Sequence, residues 1–157
     1  MTAVQIKKIL VAVDLPPHKS STVTEYAVTL AKTLGAEILA VYIAPALAAN
    51  YGRFKVPASI KENFEKEVVG GAKKFMDEFL KKEFKDCKAQ GLVISADNIA
   101  DELLNQAKEG NADLIVIGTH CRGTLMERFF LGSVAEKVIK GANIPVLTVR
   151  PNTAAAE

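Results

Sequence analysis

Ile9-Leu10-Val11-Ala12-Val13-Asp14 runs directly into Leu15-Pro16-Pro17, and that passage from unbroken apolar sequence to a carboxylate and paired prolines decides the fold. A run apolar on both sides of the pleat reads as a strand covered on both faces, the habit of a central strand in a parallel sheet. The prolines bar regular helix until the chain has turned, so Asp14 marks the strand's carboxyl end. Past the turn, Val23, Ala27, Leu30, Ala31 and Leu34 recur at helical spacing, Gly35 stops the helix, and Ile38–Ile43 supplies a second strand. Strand, helix, strand is the unit from which parallel sheets are built.

The alternation continues outward. Pro45 to Pro57 is polar, aromatic and proline-marked, and reads as a loop on the same side as Asp14, placed to act as a lid. Ser59 with Glu62 has the capping-box pattern, and Ile60, Phe64, Val68, Ala72, Phe75 and Phe79 mark one face of a long helix, with the phenylalanines assigned to the core. Gly91–Ser95 reads as a third strand, Ile99–Lys108 as a helix with Leu103, Leu104 and Ala107 inward, and Asp113–Ile117 as the fourth strand. Ser133 with Glu136 repeats the capping-box pattern, followed by Val134, Val138 and Ile139 on the buried face of a helix. Ile144–Val149 is the fifth strand, and Pro145 marks it as an edge. The expected fold is one α/β domain over residues 1–151, a doubly wound, Rossmann-like five-stranded parallel sheet with helices on both faces. Residues 152–157 read as a disordered tail. An edge strand must be covered, twisted or paired, and the alternation of Val146, Thr148 and Arg150 with Leu147 and Val149 suits pairing of segment 144–150 with its two-fold mate, so a homodimer is expected.

Composition narrows the function classes. With 157 residues, 49% of them hydrophobic, there is material for one ordinary core. Twenty basic and 18 acidic side chains leave a charge of +2, with the lysines interspersed among glutamates, so nothing points to a nucleic-acid partner. No apolar run approaches the roughly 20 residues a bilayer span needs, and the expected location is the cytoplasm, with no membrane contact. Cys87 and Cys121 stand at no metal or redox spacing, and His18 and His120 have no partner at metal-site spacing, so no metal ligands are assigned.

The chemistry-bearing stretch is Gly118-Thr119-His120-Cys121-Arg122-Gly123, with Leu131-Gly132-Ser133 beyond it. A glycine-punctuated loop leaving the carboxyl end of an apolar strand brings backbone N–H groups and a helix N-terminus to a place where a phosphate can be held. Asp14 can accept from a nucleotide amino or ribose hydroxyl group, or cap the turn at Pro16-Pro17. Gly118 and Gly123 fit either close approach of a ligand or an ordinary turn. Gly132-Ser133 fits phosphate contact or simple helix capping, and Arg122 and Arg128 can add charge. Cys121 as a nucleophile or redox sensor lacks an inferable histidine and orienting carboxylate. The phosphate loop with lysine after its last glycine is absent, as is the dinucleotide glycine fingerprint.

These residues resemble the universal stress protein family from Lys8 to Pro151. Lys8–Asp14 is similar to the family's first strand and its aspartate, Ala40-Val41-Tyr42 to the second, and Ala112–His120 to the fourth. Leu131–Val138 with Ile144–Val149 completes the likeness. The resemblance implies the adenine nucleotide alpha hydrolase-like form of the doubly wound fold, dimerisation through the last strand and, in one branch, binding of ATP or another adenine nucleotide, with magnesium accompanying a triphosphate through Ser133 and water. In that branch Asp14 and Val41 meet the adenosine end. Gly118, Thr119, Arg122, Gly123, Gly132, Ser133 and Val134 make up the phosphate side. The branch's spacing is a glycine, two residues, a second glycine, nine residues, then glycine with serine or threonine. Here the second glycine is Cys121 and ten residues follow it, with Gly123 the candidate replacement. The expected activity is therefore regulatory nucleotide binding, with at most slow incidental ATP hydrolysis because no water-activating base is evident. The alternative is a stress-response dimer of the non-nucleotide branch acting through contacts with a protein partner.

Overall fold

The computed structural model describes residues 2–14, 21–47, 50–51, 54–119 and 132–150. In chain order the elements are β1 (Lys8–Ala12), α1 (Ser21–Leu34), β2 (Glu37–Pro45), β3 (Asn50–Tyr51), β4 (Phe54–Lys55), α2 (Ala58–Glu83), β5 (Ala89–Ala96), α3 (Ile99–Glu109), β6 (Leu114–Gly118), α4 (Ser133–Gly141) and β7 (Val146–Val149). Five strands form one parallel sheet in the order β5-β2-β1-β6-β7, with β1 at its centre. The chain builds outward from β1 through β2 to β5, then returns to the other side of β1 with β6 and β7.

Because successive strand side chains point to opposite faces, each central strand feeds two cores. Ile9, Val11, Ile38, Ala40, Leu114 and Val116 pack with Val23, Ala27 and Ala31 of α1 and Ala72, Met76 and Phe79 of α2. Leu10, Leu39, Val41, Ile43, Ile115 and Ile117 pack with Ala100, Leu103 and Ala107 of α3 and Ala135 and Val138 of α4. Helices on both faces follow from apolar residues in both phases of the strands.

Several local expectations change. Ser59 lies inside α2, whose N-cap is Pro57 with no side-chain cap bond, so no capping box forms there. In α4 the N-cap is Gly132, again without a side-chain cap bond. Glu136 turns forward to Lys140, 2.6 Å away, the favoured order for a helical i,i+4 ion pair. Ile139, expected inward, is exposed. The Pro45–Pro57 segment contains an antiparallel pairing of Asn50–Tyr51 with Phe54–Lys55. Pro45 itself ends β2, beyond the last β1 residue in register, so its missing N–H costs no bond to β1.

The largest correction is on α2. Ala72, Met76 and Phe79 are buried, whereas Ile60, Phe64 and Phe75 are 55%, 42% and 50% exposed. Residues spaced by four advance about 40° around the axis at each step. The series that begins at Ile60 has therefore turned about 120° by Ala72, and the sheet takes only its later part. Phe79 meets Phe84 edge-to-face, with ring centroids 5.5 Å apart.

Candidate functional site

Strand order reverses between β1 and β6, and the crevice outside the carboxyl ends of strands at such a reversal is where open α/β sheets take ligands. Asp14 follows β1 and is exposed, and Gly118 ends β6. Parallel pairing of β1 with β6 brings both residues out at the same edge of the sheet. Val41 lies one strand over in β2, 1% exposed, its carbonyl accepting from the Val13 N–H at 3.0 Å. The fold thus gathers Asp14, Val41 and Gly118 around the reversal.

Gly118 is hemmed in from below. A Cβ there would meet Val23 Cγ2 of α1 at 2.9 Å, so a side chain at this position requires Val23 to shift. Thr119 is buried, and both its N–H and its hydroxyl donate to the Val149 carbonyl, at 2.9 and 3.5 Å. Val23 and Val149 therefore shape this corner although neither was among the expected site residues. The sequence signal for Val23 was only its place in the α1 core pattern.

Gly132 is conformationally specific. Gly132 has φ 83° and ψ 145°, and its carbonyl accepts from the Glu136 N–H at 3.1 Å to start α4. Ser133 and Val134 are the first residues of the helix, Ser133 exposed and Val134 packed beside the α3/α4 core. N–H groups in a first turn precede any intrahelical acceptor, and the helix dipole adds partial positive charge there. Because α4 leads back into parallel strand β7, this N-terminus faces the carboxyl edge of the sheet, the edge that carries Asp14 and Gly118. Arg122 and Gly123, together with His18, His120, Cys121 and Arg128, lie outside the described residues, as do residues 151–157.

Among the described residues no three His, Cys, Asp or Glu side chains gather as a metal site, and no helix is long and apolar enough to cross a membrane. A groove of about 580 Å³ lined by Val4, Gln5, Ile6, Lys7, Leu34, Gly35 and Glu37 lies at the amino ends of β1 and β2, away from the crevice. The Lys88 ammonium, hydrogen-bonded to Glu37 at 2.5 Å, holds that carboxyl below its ordinary range, and Lys140 does the same to Glu136.

The sequence model of the universal stress protein family matches residues 5–150. Universal stress protein MJ0531 of Methanocaldococcus jannaschii is 34% identical over 148 residues, covering 92% of this chain and 82% of that protein. Universal stress protein A homolog 2 of Coxiella burnetii is 30% identical over 151 residues, with 92% and 94% covered. The structure of the universal stress protein from Archaeoglobus fulgidus in complex with dAMP superposes with a TM-score of 0.60 at 26% identity, over 92% of this chain and 98% of that one.

Proposed function

The chain belongs to the universal stress protein family, and on that premise we propose that it is a cytoplasmic, dimeric regulatory protein that binds an adenine nucleotide in the crevice between β1 and β6. The observation that carries this reading is Gly132 at positive φ, opening α4 toward the edge where Asp14 and Gly118 emerge. The complex of the Archaeoglobus fulgidus relative with dAMP supports the ligand class.

In this reading Asp14 accepts from the adenosine end, beside Val41. The first-turn N–H groups at Ser133 and Val134 hold phosphate oxygens, and Gly118 and Thr119 set the bed, with Arg122 and Gly123, outside the described residues, as further contacts. Ser133, with water, would help hold the magnesium that accompanies a triphosphate and offsets its charge. Pairing of segment 144–150 across a two-fold axis makes the dimer. The ligand acts by altering a surface that a partner protein reads.

Calorimetric titration with AMP, ADP and ATP, with and without magnesium, tests the proposal. Binding that is lost in Asp14→Ala and Gly132→Ala supports it. No binding up to millimolar nucleotide assigns the protein to the non-nucleotide branch, the reading that Cys121 at the family's second glycine position favours.

A further inference from the structure

The sheet has two edges, and they are not alike. β7 is short, preceded by Pro145 and followed by Arg150. β5 is eight residues, Ala89-Gln90-Gly91-Leu92-Val93-Ile94-Ser95-Ala96, with no charged residue and no proline. All eight positions stay in register with β2. The Lys88 carbonyl accepts from Ile38 N–H at 2.9 Å and the Ala96 carbonyl from Ala46 N–H at 3.1 Å, so the even-numbered residues face β2 from one end of β5 to the other. The N–H and C=O groups of Ala89, Gly91, Val93 and Ser95 therefore point to the outer edge, where among the described residues no strand pairs with them.

We propose that this outer edge of β5 is a second self-association surface, on which the β5 of another copy adds antiparallel across a two-fold axis at Leu92. The sequence is self-complementary in that register. Ala89 falls opposite Ser95 and Gly91 opposite Val93, and each such pair exchanges two backbone bonds, so every outward group of both copies finds a partner. Gln90 falls opposite Ile94 and Leu92 opposite itself. No like charges meet, which is the usual obstacle to a strand pairing with its own copy. The surface is distinct from the 144–150 edge at the other end of the sheet, and its use does not depend on a bound nucleotide.

Sedimentation velocity over a concentration series tests it, with each variant's fold checked by circular dichroism and thermal melting. Ser95→Pro removes an outward N–H and leaves the β2 ladder bonds in place, and Ala89→Pro does the same at the first strand position, where proline is tolerated. Thr148→Pro is the matching change on β7, whose odd-numbered carbonyls face β6. Each β5 variant is expected to raise the concentration for half-association through this edge by about tenfold or more, since each loss counts on both copies. In a Thr148→Pro background the remaining association should vanish on adding Ser95→Pro. Assembly unchanged in both folded β5 variants, with all association abolished by Thr148→Pro, overturns the proposal while leaving the 144–150 dimer intact. A wild-type chain that stays monomeric at high concentration overturns both.

Discussion

Replacing glycine by alanine should act with opposite sign at two positions. At Gly132 the backbone holds φ 83° and ψ 145°, a region almost reserved for glycine, and a Cβ there costs about 1–3 kcal/mol. At Gly70, in the middle of α2, an added Cβ meets nothing within 4 Å. Alanine there gains helix propensity of about 1 kcal/mol. For a domain of this size roughly 2–4 °C of melting temperature corresponds to each kcal/mol. Gly132→Ala should therefore melt about 2–12 °C below wild type and Gly70→Ala about 2–4 °C above it, in calorimetry with urea titration as a check. If the alanine variant relaxes out of that conformation, the Ser133 N–H that follows it is expected to change direction. Nucleotide at a hundred times its Kd, which stabilises wild type by about 2.7 kcal/mol, should then stabilise Gly132→Ala much less. A Gly132→Ala protein as stable as wild type would refute the conformational argument, and one that is destabilised but still gains the full nucleotide increment would refute its link to the ligand.

On α2, Phe79→Ala should cost about 3–5 kcal/mol because the ring is buried against Phe84, whereas half-exposed Phe75→Ala should stay within about 0.5 kcal/mol. Equal losses in urea melts would contradict the turn of that helix. Lys88→Ala should raise the Glu37 pKa toward its ordinary value, seen by NMR titration. The folded-state value is the depressed one, so this pair's stabilisation is present above the ordinary carboxylate pKa and is lost as pH falls through the lowered value. Burial pushes the Cys87 thiol up, with Lys32 opposing and Asp86 adding to the rise. In a Cys121→Ser background, alkylation of Cys87 near neutral pH should be slower in the native protein than in the unfolded chain, and native reactivity equal to or above the unfolded rate would contradict it.

The parallel sheet was legible because β1, β2 and β6 carry apolar side chains in both phases, leaving little choice but burial on both faces. Gly35 as the stop of α1 was also legible, with φ 65°. Capping was read less well. Ser59 and Ser133 both precede a glutamate by three residues, yet Pro57 and Gly132 take the N-cap positions. The pattern specifies which bonds are possible, not where helical geometry begins. The Asn98 cap, whose side chain accepts from the Asp101 N–H at 3.1 Å, carries no capping-box signal because no glutamate or glutamine stands three residues on. At the candidate site Asp14, Gly118 and Gly132 could be picked out by residue type, whereas the support of Val23 under Gly118 and of Val149 on Thr119 depends on contacts distant in the chain.

The sequence by itself determined the elements and their alternation, since hydrophobic period and helix stops are local properties written into every few residues. It also determined the family and the residue types offered at the carboxyl ends of β1 and β6. Only the tertiary structure decided which arc of α2 is buried, because the choice among apolar residues 40° apart is made by the sheet the helix lies on. It likewise decided that the uncharged β5 is the edge opposite β7, for strand order arises from which distant segments pair and not from the pattern within any one of them.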